Sequence, residues 1–149
     1  MKIDSTPYKL LNIATGRVFE DSGWMMADPQ SPTPSLIRAE YGKKEIRIKE
    51  DSYGIYKFAD WLPIHKMLKG SYAPATYKSE ALAAHLGLEN LFITFNGWWP
   101  ERGIEMQTCS FKETEAFSVC ARLNFKDKIL VVSSAGHAAR AFARVCSEN

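Results

Sequence analysis

Helix-like and strand-like segments alternate along the second half of the chain, and this order constrains the fold more than any other feature. The apolar spacing predicts helices over Ser79–Gly87, Lys112–Leu123 and Gly136–Val145, and buried strands over Leu91–Phe95 and Lys128–Ser133. Ser79 suits a helix N-cap, and Gly87 stands where a helix-ending glycine belongs. This alternation favours an α/β layer built on parallel strands.

The first third of the chain reads as β structure that ends in a proline-rich loop. Tyr8–Ile13 and Val18–Phe19 predict two short strands joined by a turn, and Ile46–Ile48 alternates like an edge strand. Three prolines within Asp28–Pro34 exclude a helix or a central strand there. We therefore expect residues 1–34 to form a small β appendage with a linker, and residues 35–149 to form the main α/β part.

Charge and hydropathy exclude several classes of partner. The chain has 149 residues, with 19 Lys and Arg against 17 Asp and Glu, so its net charge is +2. This balance leaves no broad basic field, and we expect no nucleic-acid partner. The apolar run Ile129–Val132 is far shorter than the roughly 18 residues of a membrane helix. The N-terminal stretch Met1–Pro7 has no apolar region, so no secretory signal is visible and we expect a cytoplasmic protein.

The cysteines predict neither a metal site nor a disulfide framework. The three cysteines, Cys109, Cys120 and Cys146, are widely spaced and include no C-x-x-C pair. In a reducing cytoplasm such residues are expected to be free thiols.

A strand that ends in small residues and runs directly into a helix is the first candidate for a binding site. This segment is Val131–Arg140, with Ser134, Ala135 and Gly136 at the junction. A helix N-terminus offers free N–H groups and a positive dipole end, so it can bind a carboxylate or phosphate. The same pattern also arises where a serine merely caps a helix, and the sequence leaves both interpretations open.

A lysine at the start of an amphipathic helix is the second candidate. Lys112 follows Gln107–Phe111 and precedes Glu113. A lysine attacks a carbonyl only when its amine is neutral, a state that burial or neighbouring positive charge favours. The alternative is a solvated surface lysine without a chemical role.

Four segments together resemble a known family. Their order is Pro74–Ala83, Leu86–Ile93, Thr108–Ala116 and Ser133–His137. They resemble the front part of the fold-type II pyridoxal-phosphate enzymes, the tryptophan synthase β-like group. Ser35–Tyr41, Asp60–Pro63 and Gly97–Gly103 are similar to its cysteate synthase subgroup, which is related to the threonine synthases. The resemblance implies an α/β fold, namely the N-terminal part of the three-layer fold-type II architecture behind a small β appendage.

The resemblance also implies specific roles for residues. Lys112 matches the lysine that forms the internal aldimine with pyridoxal 5′-phosphate and shuttles the substrate α-proton. Ser134, Ala135 and Gly136, with Ala138 at the start of the next helix, match the loop that binds the substrate carboxylate. His137 stands where the family has an asparagine that hydrogen-bonds the cofactor. The family reaction is a β-replacement in which O-phospho-L-serine and sulfite give L-cysteate and phosphate, a step of coenzyme M biosynthesis.

Other functions stay open at this point. The chain is also compatible with a threonine synthase-like enzyme or another amino-acid lyase. A third possibility is a non-catalytic, truncated paralogue that acts as a binding or interaction module. The expected partner is a small amino-acid substrate, and the resemblance leaves a homo-oligomer open.

The sequence departs from the family pattern at three points. His137 replaces the asparagine beside the cofactor. Asn12–Gly16 occupies the place of a C-x-x-C-G knuckle and has no thiols, so no metal is expected there. The family's glycine-rich phosphate-binding loop belongs to the later part of the fold, which this chain does not include. We therefore expect this chain alone to bind the cofactor weakly.

Overall fold

A computed structural model of the chain describes residues 3–23, 25–123 and 129–149. These residues form two compact units. The smaller unit runs from Asp4 to Arg47, and the larger unit holds Ile3 together with Ile48–Asn149. The contacts of the chain thus divide it between residues 47 and 48. The division at residue 34 into an appendage and a catalytic part stays a prediction.

The smaller unit is built on an antiparallel sheet of three strands. Its central strand is β1, Tyr8–Asn12, flanked by β2, Val18–Phe19, and β3, Ile37–Tyr41. The first two strands are confirmed. The edge strand predicted at Ile46–Ile48 is wrong: this segment pairs with no strand among the described residues, and Ile46 and Ile48 are 56% and 51% exposed.

A buried asparagine holds the turn that follows β1. The side-chain oxygen of Asn12 accepts hydrogen bonds from the N–H groups of Ala14 at 3.0 Å and Thr15 at 3.2 Å. The backbone N–H of Asn12 donates to the Arg17 carbonyl, and its own carbonyl accepts from Gly16, both at 2.9 Å. One residue therefore closes the turn through its side chain and its backbone.

A buried carboxylate fixes the proline-rich loop to this turn. Asp28 is 5% exposed and accepts from the Asn12 amide at 3.0 Å, from the backbone N–H of Gln30 at 3.0 Å, and from the Arg17 guanidinium. Burial opposes ionisation of Asp28, but these donors outweigh it and lower the pKa of the carboxyl. The predicted linker is thus tied to the sheet by polar contacts.

The larger unit contains a hairpin whose two strands are connected through a helix. β4, Ala75–Lys78, pairs antiparallel with β5, Phe92–Phe95, and α1, Glu80–Leu86, lies between them in the chain. The helix ends at Gly87, which adopts the left-handed conformation with φ of 69°. The predicted helix and the strand before Asn96 are confirmed. The strand is not buried as predicted, since Phe92 is 62% exposed, and the parallel arrangement is wrong for this pair.

The second predicted parallel strand is also wrong over its described part. Ile129–Ser133 has no strand partner, and Lys128 lies outside the described residues. Ile129 and Val131 are 91% and 85% exposed. A strand needs a neighbour to satisfy its backbone donors and acceptors, and no strand of the described residues pairs with this segment.

A further short hairpin joins β6, Trp98–Trp99, to β7, Ile104–Glu105.

The core of the larger unit lies among two helices and a 3₁₀ segment. The helices α2, Lys112–Arg122, and α3, His137–Glu148, pack against each other, and α2 also contacts the 3₁₀ segment Gly54–Trp61. The buried cluster comprises Tyr56, Ala59, Ile64, Leu68, Ala116, Phe117, Cys120, Ala121, Ala141, Phe142 and Val145. Both predicted helices are confirmed. Within the part that the structure describes, every helix falls short of the apolar length that a bilayer crossing requires.

The observed architecture is therefore mixed α and β with small antiparallel sheets. The predicted α/β class is confirmed at this level. The three-layer fold-type II architecture stays a prediction.

The buried tyrosine of the core gives a test of this packing. Tyr56 is 0% exposed, and its hydroxyl accepts from Leu68 N–H at 3.1 Å and donates to the Phe117 carbonyl at 3.3 Å. Tyr56→Phe should lower the free energy of unfolding by about 1–3 kcal/mol, because both partners lose a buried hydrogen bond. Denaturant titration would measure this, with the partly exposed Tyr77→Phe as a control that should change little.

The same residue predicts an alkaline limit to stability. Burial raises the pKa of Tyr56 from 10.0 to about 12. Above pH 10 the unfolded state loses this proton before the folded state does, so the stability from Tyr56 is lost as the pH rises through that interval. The slope of unfolding free energy against pH should be shallower in Tyr56→Phe than in the wild type. An unchanged slope would contradict the assignment.

Candidate functional site

Lys112 is the first residue of α2 and its amine is accessible. The side chain is 34% exposed, and Nζ lies 2.5 Å from Oε2 of Glu115 and 5.1 Å from the centre of the Phe111 ring. The contact with Glu115 is a charge-assisted hydrogen bond. A reaction with a carbonyl therefore requires Nζ to leave this carboxylate.

A tight turn sets the start of α2. Cys109 has φ of 50°, the left-handed region that non-glycine residues rarely adopt. Its N–H donates to the Met106 carbonyl at 3.0 Å. The hydroxyl oxygen of Ser110 accepts from Lys112 N–H at 3.3 Å, and the Ser110 carbonyl accepts from Glu113 N–H at 3.0 Å. These contacts fix the backbone of the lysine, although its side chain stays outside.

Glu113, next to the lysine, points the opposite way and is 1% exposed. Its Oε2 accepts from the backbone N–H of Thr108 at 2.8 Å, and its Oε1 accepts from Nη1 of Arg144 at 2.9 Å. Glu113 thereby ties the loop before α2 to helix α3. Sequence reasoning missed this residue; an acidic residue in a first helical turn, able to reach back to an N–H upstream, was the available signal.

Arg144 joins several parts of the larger unit to Glu113. Its side chain is 8% exposed, and Nη2 donates to the Gly70 carbonyl and pairs with Glu148, both at 3.1 Å. The guanidinium carbon lies 5.5 Å from the centre of the Phe117 ring. The buried Nε has no acceptor among the described residues. Arg144 therefore connects α3, α2 and the segment before β4 through one planar group.

The loop before α3 is capped by its own serine. The hydroxyl oxygen of Ser134 accepts from the N–H groups of Gly136 at 3.1 Å and Ala139 at 3.3 Å. Gly136 has φ of 153°, and a Cβ there would meet nothing within 4 Å, so its backbone conformation and not space calls for glycine. The capping interpretation is confirmed, and in the described part of the chain the N–H groups of His137 and Ala138 have no acceptor.

The predicted site residues do not all meet in one place. Ser134, Ala135 and His137 are exposed, and no hydrogen bond or ion pair joins them to Lys112 among the described residues. The contacts between α2 and α3 instead include Glu113 with Arg144, two turns into α3. The roles assigned to Lys112, His137 and the Ser134–Ala138 loop therefore stay predictions. Among the residues that the structure describes, no three His, Cys, Asp or Glu side chains are grouped to hold a metal ion.

Comparison with known proteins supports the resemblance. The chain is 49% identical over 116 residues to a cysteate synthase of Methanococcoides burtonii, which covers 76% of this chain and 28% of the relative. It is 40% identical over 142 residues to that of Methanocorpusculum labreanum, covering 95% of this chain and 34% of the relative. It is 47% identical over 112 residues to the cysteate synthase of Methanosarcina acetivorans, a match that covers 74% of this chain and 27% of the relative.

The chain thus spans only about a third of the length of these curated relatives. Such coverage fits the predicted correspondence to the front part of the enzyme. No family model matches the chain. No solved structure matches it either.

The buried ion pair gives a test of how the start of α2 is held. Glu113→Gln and Arg144→Met should each cost about 3–5 kcal/mol of unfolding free energy, because each leaves an uncompensated buried partner. The double variant should cost less than the sum of the two, which a double-mutant cycle measures. Arg140→Met, at an exposed arginine of the same helix, is the control and should change stability by less than about 0.5 kcal/mol. Additive losses would show that the pair is not coupled.

Proposed function

We propose that this chain, which is homologous to part of the cysteate synthases, is the segment of such an enzyme that carries the reactive lysine, Lys112. One observation supports this most: in the Lys112–Glu113 pair, one side chain is anchored inside and the other is accessible. Glu113 is 1% exposed, whereas the Lys112 side chain is 34% exposed. A reactive amine needs both an accessible atom and a fixed backbone.

The described residues suit pyridoxal 5′-phosphate in two respects. The cofactor carries an aldehyde, with which the accessible Nζ of Lys112 can react. The substrate carries a carboxylate, and the Ser134–Ala138 loop offers the N–H groups of His137 and Ala138 at a helix N-terminus, for which the described residues provide no acceptor. When bound, the cofactor supplies an electron sink for the bonds of the substrate α-carbon.

The protein residues then have separate tasks. Lys112 Nζ receives and returns protons, which requires it to exchange its contact with Glu115 for one with the reacting molecule. Ser134 keeps the loop in shape by accepting from Gly136 and Ala139. His137 lies on the helix terminus, where an imidazole can donate one hydrogen bond to the cofactor in place of the family asparagine.

The homology supports a proposal for the specific reaction. We propose that the whole enzyme replaces the phosphate of O-phospho-L-serine by sulfite. The product is L-cysteate, after which the relatives are named, and it serves coenzyme M biosynthesis. Threonine synthase-like chemistry, or another lyase reaction on a small amino acid, is the alternative within the same fold. The activity belongs to a protein about three times the length of the matched segment.

A specific observation favours a second candidate function, that of a binding or interaction module. Phe92 is 62% exposed, and Ile129 and Val131 are more exposed still. Apolar side chains that face water are candidates for contact with another protein surface. A complex that forms without any reactivity at Lys112 would support this alternative.

Labelling with the cofactor tests the proposal. The chain is incubated with pyridoxal 5′-phosphate and reduced with borohydride, and the modified lysines are mapped by mass spectrometry. Lys112 should be labelled ahead of the exposed Lys78, and Lys112→Ala should lose this label while Lys78→Ala keeps it. Equal labelling of many lysines, unchanged in Lys112→Ala, would overturn the assignment.

The ion pair with Glu115 makes a second prediction. Glu115→Gln removes the carboxylate that pairs with Nζ of Lys112 and so frees the amine to meet the aldehyde. Labelling at Lys112 should therefore become about twofold faster, the size expected for a partly exposed helical pair. Glu101→Gln, at an exposed carboxylate elsewhere, is the matched control. Labelling at Lys112 that slows in Glu115→Gln would show that Glu115 assists the reaction instead of restraining it.

A further inference from the structure

Two of the three cysteines meet at the contact between α2 and α3. The Sγ atoms of Cys120 and Cys146 are 3.9 Å apart, although the residues are 26 positions apart in the chain. Cys120 is 2% exposed, whereas Cys146 is exposed. Cys109 is exposed and lies in the turn before α2. One buried and one accessible thiol are therefore held in contact by two packed helices.

A cavity gives small molecules access to this pair. It has a volume of about 280 Å³, and both thiols and Lys66 contribute to its lining. The remaining lining is largely apolar, with Leu68 and Val145 among its residues. The cavity therefore offers space beside both thiols for a small reagent that arrives from solvent and for the product that leaves.

We propose that Cys120 and Cys146 are a modification site, a dithiol that low-molecular-weight disulfides such as oxidised glutathione convert reversibly into an intramolecular disulfide. The proposal does not depend on the proposed enzymatic function. It follows from the sulfur contact, the difference in exposure and the adjoining cavity.

The reaction proceeds in two balanced steps. The Cys146 thiolate attacks one sulfur of oxidised glutathione, so a mixed disulfide forms and one glutathione thiolate leaves. Cys120 loses its proton to solvent and attacks the Cys146 sulfur, which breaks the mixed disulfide and releases a second glutathione thiolate. The two protein thiols are oxidised together, and one glutathione disulfide is reduced to two thiols.

The geometry requires a small movement. The sulfurs must close from 3.9 Å to the S–S bond length of about 2.05 Å. Rotation of the exposed Cys146 side chain can contribute to this change. Both cysteines lie near the C-terminal ends of their helices, and the bond would link α2 to α3 away from Lys112.

The buried thiol sets the slower step. Burial, followed by the neighbouring Cys146, raises the pKa of Cys120 to about 12, although the Lys66 ammonium acts in the opposite direction. Because the thiolate is the attacking species, closure of the disulfide should speed up as the pH rises.

The test uses the full chain with Cys109→Ser, which leaves two of the three thiols. Treatment with oxidised glutathione should reduce the thiol count from two to none, with a mass loss of two hydrogens and no glutathione adduct. Peptide mapping should show a Cys120–Cys146 link, and dithiothreitol should restore both thiols. The matched Cys120→Ala variant in this background should keep a glutathione adduct on Cys146.

Two outcomes would overturn the proposal. One is a stable glutathione adduct on Cys146 with Cys120 still reduced, in protein whose circular dichroism matches the untreated chain. The other is a disulfide that joins two chains. If Cys120→Ala does not fold, Cys146→Ser serves instead, because it should leave Cys120 a free, unmodified thiol. Rapid glutathione labelling of Cys120 in that variant would show that no accessible partner thiol is needed.

Discussion

The buried ion pair between Glu113 and Arg144 is the interaction on which the larger unit depends. It lies between the two helices that form the core, and both partners also bind loop backbone. Glu113 accepts from Thr108 N–H, and Arg144 donates to the Gly70 carbonyl besides pairing with Glu148. Removing two charges from water is costly, and only a nearly complete set of partners offsets it. The loops before β4 and α2 are therefore fixed by the same contact that joins the helices.

The elements that were correctly predicted are those whose cause is local. The end of α1 follows from Gly87, and the amphipathic spacing of α2 and α3 follows from side chains one turn apart. The antiparallel pairing of β4 with β5 has no such local cause, because the same apolar run suits a strand with parallel neighbours and a strand with antiparallel ones. The Ile129–Ser133 segment illustrates this limit, since its composition suits a strand while the described residues provide no neighbour for it.

The candidate site also combines features that local sequence predicts with features that depend on tertiary contacts. Lys112 was identified because a resemblance over several segments drew attention to it, and the helix start that it occupies could be inferred from local spacing. The ion pair of Glu113 with Arg144 could not be predicted, because the sequence cannot show that two charges 31 positions apart will be buried together. The Ser134 cap is local and can be predicted from the sequence, whereas a contact of Lys112 with the Ser134–Ala138 loop would depend on tertiary placement.

The turn after β1 has a consequence for how this protein responds to its surroundings. A turn held by metal-bound thiolates would depend on metal supply and would be lost to chelators. Here Asn12 accepts the two turn N–H groups, and Asp28 receives the Asn12 amide and the Arg17 guanidinium. The lowered pKa of Asp28 means that its stabilising effect holds above the ordinary carboxyl range and fades as acid protonates it. Proton concentration is thus the variable to which this turn responds.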